Sequence, residues 1–427
     1  MKISLYIPCF NAESYIEDTL KGVFSQTLKP DEVVIVDDNS SDRTVEKVSP
    51  YPIKLIRHKH NRGLAVARNT AVKNIDSKYI ASLDADCAPE PGWLETLMKR
   101  FTSSDIAGTG GKLLEKNLST TFDLWRAVHM KQYWAEGESA PPFLFGSNTV
   151  FRRQALTEVG VYSENFRDNY EDVDICERLK KKGYSLVYEP KATVKHLKRD
   201  NVCSVLNNYW KWNLAFHQKK GCYSSPKGFS RKLRENVGLA NRYIHEDIIS
   251  NQHQLLYLDF LLGLHNSLKD LEYFTYQKIQ KPNYSISSFW FSLIDLSLFY
   301  RFSLEKKEIV TLMPKANMFL QNFFALNLVL GKIIREKFVS RKFKKILYRH
   351  LLFSVYSITD NIFLDKLLDL TESRYDWSRF YKVNHSNLNN IFLRKLSFDF
   401  KKWLNSLAFD HPEAIRMIQS SAENMGE

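Results

Sequence analysis

Short apolar runs alternate with longer amphipathic stretches through the first two hundred residues. Ile3-Ser4-Leu5-Tyr6-Ile7 is dense enough to be a buried first strand. Ile16, Leu20 and Val23 then recur on one helical face, with Asn11 placed to cap that helix. Glu32-Val33-Val34-Ile35-Val36 reads as a second strand, Gly63 opens a helix that runs through Ala67 to Asn74, and Tyr79-Ile80-Ala81-Ser82-Leu83 is a third strand. Three strands, each followed by a helix, predict a mostly parallel α/β sheet with helices on both faces.

The third strand delivers Asp84-Ala85-Asp86, two carboxylates flanking one residue. Hard divalent cations take carboxylate and phosphate oxygens, so this strand end can hold a cation against a diphosphate. Alternate residues after a strand need not reach the same ion. Asp86 is therefore the expected direct ligand, with Asp84 contacting ribose or acting through water. Oxygen ligation favours magnesium or manganese over zinc. The second strand delivers Asp37-Asp38-Asn39-Ser40-Ser41-Asp42, which can form a turn, cap a helix near Asp42 and still bind a ligand.

Seven motifs in a fixed order carry a resemblance. They are Pro8-Cys9-Phe10-Asn11, Val36-Asp37-Asp38-Asn39-Ser40-Ser41-Asp42, Asn61-Arg62-Gly63 with Ala67-Arg68-Asn69, and Asp84-Ala85-Asp86. Then follow Gly146-Ser147-Asn148 with Phe151-Arg152-Arg153, Glu171-Asp172-Val173-Asp174 with Arg178, and Gly183-Tyr184 leading to His196. Over about the first 200 residues the chain resembles the family 2 glycosyltransferases, whose fold is of the glycosyltransferase A type with a Rossmann-like sheet.

The resemblance implies a nucleotide site at Pro8, Asn11, Asp37, Asp38, Arg68 and Asp84, with Asp38 accepting a hydrogen bond from base or ribose. It places His196 where many relatives supply a further metal ligand beside Asp86 and Asp84. Gly146, Ser147, Asn148 and Arg178 would lie by the donor and acceptor sugars, and Trp125, Tyr133 and Trp134 could stack on sugar faces or simply pack. An inverting transfer needs a carboxylate to take the acceptor hydroxyl's proton, a role assigned to Asp172 with Glu171 as its neighbour. The dipole of the helix they open should keep both carboxyls ionised.

Composition changes along the chain and divides it. Of 16 glycines and 13 prolines, 12 and 10 lie before residue 231, fitting a loop-rich α/β half and a mainly helical remainder. The expected division is 1–220 for nucleotide-sugar binding and catalysis and 221–427 for a basic helical domain. Residues 1–200 carry 29 Lys+Arg against 28 Asp+Glu, and residues 201–427 carry 32 against 20, so nearly all of the net +13 sits in the second part. That surplus suits an anionic partner such as a lipid headgroup, a phosphate-bearing glycan or nucleic acid, or merely a solvated surface.

Five cysteines without metal-type spacing imply neither a disulfide framework nor a zinc site. Met1-Lys2 runs straight into the first strand, and with reduced cysteines this predicts a cytoplasmic protein. The apolar stretches 286–300 and 309–330 are interrupted by polar residues and read as buried helices rather than spans. Lys332 to Arg349, basic and amphipathic, would pack by its apolar stripe or lie peripherally on an anionic membrane.

The expected activity is thus metal-dependent transfer from a nucleotide-diphosphate sugar, with uridine diphosphate as the nucleotide, to a hydroxyl of a surface-polysaccharide or lipid-linked glycan intermediate. The alternatives are the same chemistry on a protein or nucleic-acid acceptor, and a non-catalytic nucleotide-sugar-binding scaffold.

Overall fold

A computed structural model describes residues 2–135, 140–166 and 169–279. The segments expected at 286–300, 309–330 and 332–349 lie outside the described residues. The chain divides into two units, the first Met1–Asp200 and the second starting at Asn201.

The first unit contains β1 (Ile3–Cys9), α1 (Ile16–Phe24), β2 (Glu32–Asp37), α2 (Thr44–Val48), β3 (Lys54–Arg57), α3 (Leu64–Asn74) and β4 (Tyr79–Leu83). It continues with β5 (Cys87–Pro89), α4 (Trp93–Met98), β6 (Ile106–Glu115), α5 (Thr121–His129), β7 (Asn148–Arg152), α6 (Arg153–Glu158), α7 (Glu171–Lys181) and β8 (Ser185–His196). The strands form one sheet in the order β3-β2-β1-β4-β7-β6-β8-β5. β1 to β4 run parallel, as the alternation of runs and helices predicts, whereas β7 enters antiparallel to both its neighbours and β5 antiparallel to β8.

Helices cover both faces because successive strand residues point to opposite sides. Ile3, Leu5, Ile7, Val33 and Ile35 pack with Ile16, Leu20 and Val23 of α1 and Trp93, Leu94 and Leu97 of α4. Tyr6, Val34, Val36 and Ile80 pack on the other face with Ala67, Ala71 and Val72 of α3 and Ile175 and Leu179 of α7. Each fully buried aliphatic side chain contributes about 1.5–3 kcal/mol.

Two local expectations are revised. Asn11 does not cap α1, whose first turn follows Tyr15; it sits at φ +49° and its Oδ1 accepts the Ser41 N–H at 2.9 Å, tying the β1 and β2 exits together. The second unit starts at Asn201 rather than 221, because Asn201 and Ser204 form a reciprocal cap on α8 (Val202–Lys219). The unit adds α9 (Pro226–Ile249) and α10 (Leu256–Ile279), and its described residues form helices joined by short turns. Asp270 joins these helices, accepting from Trp210 Nε1 at 2.8 Å, Tyr223 Oη at 2.6 Å and Asn236 Nδ2 at 2.7 Å, and pairing with Lys232.

Candidate active site

The carboxyl ends of β1, β2 and β4 open on one edge of the sheet, where ligands of open α/β sheets bind. β7 brings its beginning to the same edge, since Asn148 pairs in register with Leu83. Tyr170, held at φ +80°, turns the chain into α7 so that Glu171 and Asp172 arrive there too.

Arg68 of α3 is the hub of this edge. Its guanidinium is 1% exposed, donating through Nη2 to Asp84 Oδ1 at 2.9 Å and through Nε to Glu171 Oε1 at 3.1 Å. Nη1 donates to Ser82 Oγ at 2.6 Å and to the Gly146 carbonyl at 3.1 Å. Gly146 N–H donates to Asp172 Oδ2 at 3.0 Å, and Val173 N–H to Asp172 Oδ1 at 2.8 Å. Gly146 has to be glycine here, because an added Cβ would stand 2.9 Å from Arg68 Nη2 and 3.2 Å from the Asp172 side chain.

Electrostatics at the pair differ from the expectation drawn from the helix dipole. Burial raises the Glu171 carboxyl, Asp172 repels it further, and the attraction of Arg68 does not compensate. Burial also raises Asp172, against the hydrogen bond from Gly146 and the charge of Arg68. Desolvation therefore outweighs the dipole, and Asp172 is a stronger base than an exposed aspartate. Glu171 is enclosed, while Asp172 is partly exposed and reachable.

Asp86 faces a different environment. Its Oδ2 lies 3.3 Å from His196 Nε2, and His196 Nδ1 lies 2.8 Å from Glu115 Oε2. Burial opposes the charged form of His196, but Asp86 and Glu115 outweigh it and hold the imidazole at about 9. Burial would likewise raise Asp86, yet His196, with Lys198 and Arg126 beyond it, pulls its carboxyl well below the usual range.

Donor atoms of Asp86, Cys87 and His196 lie within 4.8 Å of one another. Burial and the surrounding carboxylates push the Cys87 thiol up, and a hard cation of the magnesium or manganese kind prefers oxygen and nitrogen donors to its sulfur. Asp86 and His196 fit a divalent cation, and Glu115 on the far ring nitrogen is the outer partner that fixes a ligating imidazole. Asp84 is outside this cluster: one of its oxygens is taken by Arg68.

Other expected binding residues have structural partners. Asp38 accepts from the Arg62 N–H at 2.9 Å and the Gly63 N–H at 2.8 Å and meets His58 Nδ1 at 2.6 Å, so its carboxylate shapes the loop that enters α3. Buried Asp37 pairs with Arg57 at 3.0 Å and accepts the Ser40 N–H. Pro8 is buried beside Val36. Arg178 gives its guanidinium to Asp174 and to the Val159 and Val161 carbonyls.

Ser147 donates to Gln132 Oε1 at 3.0 Å and Asn148 Oδ1 accepts Trp93 Nε1 at 2.5 Å, leaving Gly146 as the member of its triplet at the site. Trp125 is core, and Trp134 packs on Phe143 and Phe145. Missed in the sequence were Glu115, Ser82, Arg126 and Lys198, none of which stands in a recognisable motif.

Residues 4–160 match the model of glycosyl transferase family 2. The pre-mycofactocin glycosyltransferase of Mycobacterium tuberculosis is 31% identical over 38% of this chain, which spans only 37% of that relative. The poly-beta-1,6-N-acetyl-D-glucosamine synthase of Staphylococcus epidermidis is 25% identical over 73% of this chain and 77% of its own length. Among solved structures, a mannosyltransferase from Pyrobaculum calidifontis in complex with GDP-Man and Mn2+ is similar at a TM-score of 0.39 and 16% identity, covering 75% of this chain and 85% of that one.

Proposed function

On the premise that residues 4–160 are a family 2 glycosyltransferase domain, we propose that the protein is a metal-dependent inverting glycosyltransferase. It moves a sugar from a uridine diphosphate donor to a hydroxyl of a surface-polysaccharide or lipid-linked glycan intermediate. The observation that carries this reading is the convergence of Arg68, Asp84, Gly146, Glu171 and Asp172, from four separate motifs, next to the Asp86–His196 pair.

Asp172 takes the proton of the acceptor hydroxyl as its oxygen attacks the anomeric carbon. Its raised basicity suits that transfer, and the Gly146 and Val173 N–H groups fix the carboxylate's orientation. Arg68 holds Glu171, Asp84 and the Gly146 carbonyl in one rigid frame, so the base cannot drift from the sugar. Asp86 and His196 would hold the divalent cation, which when bound stabilises negative charge on the departing diphosphate. Lys198 and Arg126 add positive potential on the same side.

The basic second unit would meet the anionic part of the acceptor or a membrane surface on the cytoplasmic side. No helix among the described residues is long and apolar enough to cross a membrane. The test is thermal stabilisation across a panel of nucleotide sugars with manganese and with chelator, followed by slow donor hydrolysis. A metal-dependent shift for one donor, with sugar release that Asp172→Asn abolishes, is the expected result. Product of the donor's own anomeric configuration by NMR would overturn inversion.

A further inference from the structure

Helix α8 ends in a glycine turn that places two side chains together. Gly221 adopts φ +67° and donates to the Gln218 carbonyl at 2.9 Å, and the Cys222 N–H donates to the His217 carbonyl at 3.0 Å. This closure brings the residue after the glycine onto the helical residue it bonds, where an apolar contact is usual. Here the two are cysteine and histidine. Cys222 Sγ lies 3.9 Å from His217 Nδ1. Glu235, near the middle of α9, puts Oε2 3.9 Å from the same nitrogen, and one donor atom from each residue lies within 4.8 Å of the other two.

Both contacts converge on Nδ1. A nucleophile relay would need the two ring nitrogens to serve different partners, one taking the proton and the other held by the carboxylate. One ion can bind all three donors from a single point. Bonds of ~2.0–2.3 Å to a tetrahedral ion set ligand atoms ~3.3–3.6 Å apart. Two of the three separations, each 3.9 Å, are therefore a few tenths of an ångström from closing, and the third lies within 4.8 Å. The first two are too long for good hydrogen bonds, and Arg231, which meets Cys222 and pairs with Glu235 at 3.9 Å, would give way to the ion.

We propose that His217, Cys222 and Glu235 form a second metal site, of the zinc class, in the helical unit. Thiolate, imidazole and carboxylate are the donor types this borderline-soft ion takes, and the two anions balance its charge. Burial and nearby Lys232 hold His217 down to about 4, so the imidazole is already in its ligating neutral form. Burial and Glu235 raise the Cys222 thiol, so binding releases one proton from Cys222 to solvent.

Cys222 is fully buried, whereas His217 and Glu235 line a cavity of about 460 Å³ that also carries Lys220, Lys232 and Arg242. The ion's fourth position would open on that cavity. The site is built from residues apart from Asp86 and His196, so it stands or falls independently of the proposed transfer chemistry.

The experiment is titration of the metal-stripped full chain with cobalt(II) and zinc. One equivalent of cobalt should give a thiolate-to-cobalt charge-transfer band that zinc displaces. Cys222→Ser should remove the band, and Asp86→Asn should leave it intact. Glu235→Gln alters a side chain 41% exposed and should fold normally, while weakening zinc binding by more than the ~10-fold that loss of even an outer partner costs. Absence of a band in the wild-type protein, survival of the band in Cys222→Ser, or unchanged zinc affinity in Glu235→Gln would each overturn the site.

Discussion

Asp84 and Asp86 are separated by one residue yet belong to opposite kinds of environment. Asp84 leans on Arg68, a buried cation that never titrates and that also holds Glu171. Asp86 leans on His196, whose positive charge can leave as a proton and be replaced by a metal ion. What a carboxylate can do is set by the permanence of its counter-charge. The first cluster is a frame, and the second is built for exchange.

The comparison is tested most severely at the base. Asp172→Asn keeps an oxygen for the Gly146 N–H but takes no proton, and should lower turnover ~10²–10⁴-fold with little change in melting temperature. Equal turnover in the purified variant with an identified donor would remove Asp172 from the reaction.

Arg68→Ala probes the frame itself. It strands Glu171 and Asp84 together with the nearby Asp172, and should cost about 3–5 kcal/mol in denaturant unfolding, whether or not manganese is present. A loss that manganese restores would mean that the two clusters are not distinct in kind.

Glu115→Gln reaches the exchange cluster from behind. It should weaken manganese binding ~10–100-fold by freeing the His196 ring, and in chelator it should also lower stability, because the buried imidazolium loses one of its two carboxylates. A mild effect is expected from pH. Because the Asp172 carboxyl is raised, the base is protonated below that raised value, and turnover should fall as pH drops through it, above the range of an exposed aspartate. A limb that stays within the range of an exposed aspartate would place the titration elsewhere.

How much of this was legible follows from the distance of each partner. The runs that became β1, β2 and β4, the helices on both faces and the acidic strand end at Asp84 and Asp86 are written in local pattern. The division between these two aspartates is not local, since residues two apart in an extended chain share a face and only Arg68 and His196, brought in by the fold, set them apart. Partners are not local. Asp38 reads as a free acceptor until the fold returns Arg62 and Gly63 to it from 24 and 25 residues away.

Glu115 was invisible for the same reason, since only the pairing of β6 with β8 sets it opposite His196. Burial worked in the same hidden way on Asp172, where the helix dipole could be read from α7 but the enclosure that outweighs it could not. The antiparallel entry of β7 left no mark either, because strand direction is not encoded in an apolar run.

That reversed strand has an engineering consequence. A parallel strand would reach this edge at its end, after its whole length, whereas β7 reaches it at its beginning, with Asn148 locked against Leu83. Gly146 is thus anchored from downstream, and residues inserted between α5 and β7 are taken up before the anchor. The Gly146 groups that meet Arg68 and Asp172 are therefore held with only Ser147 between them and a fixed sheet register.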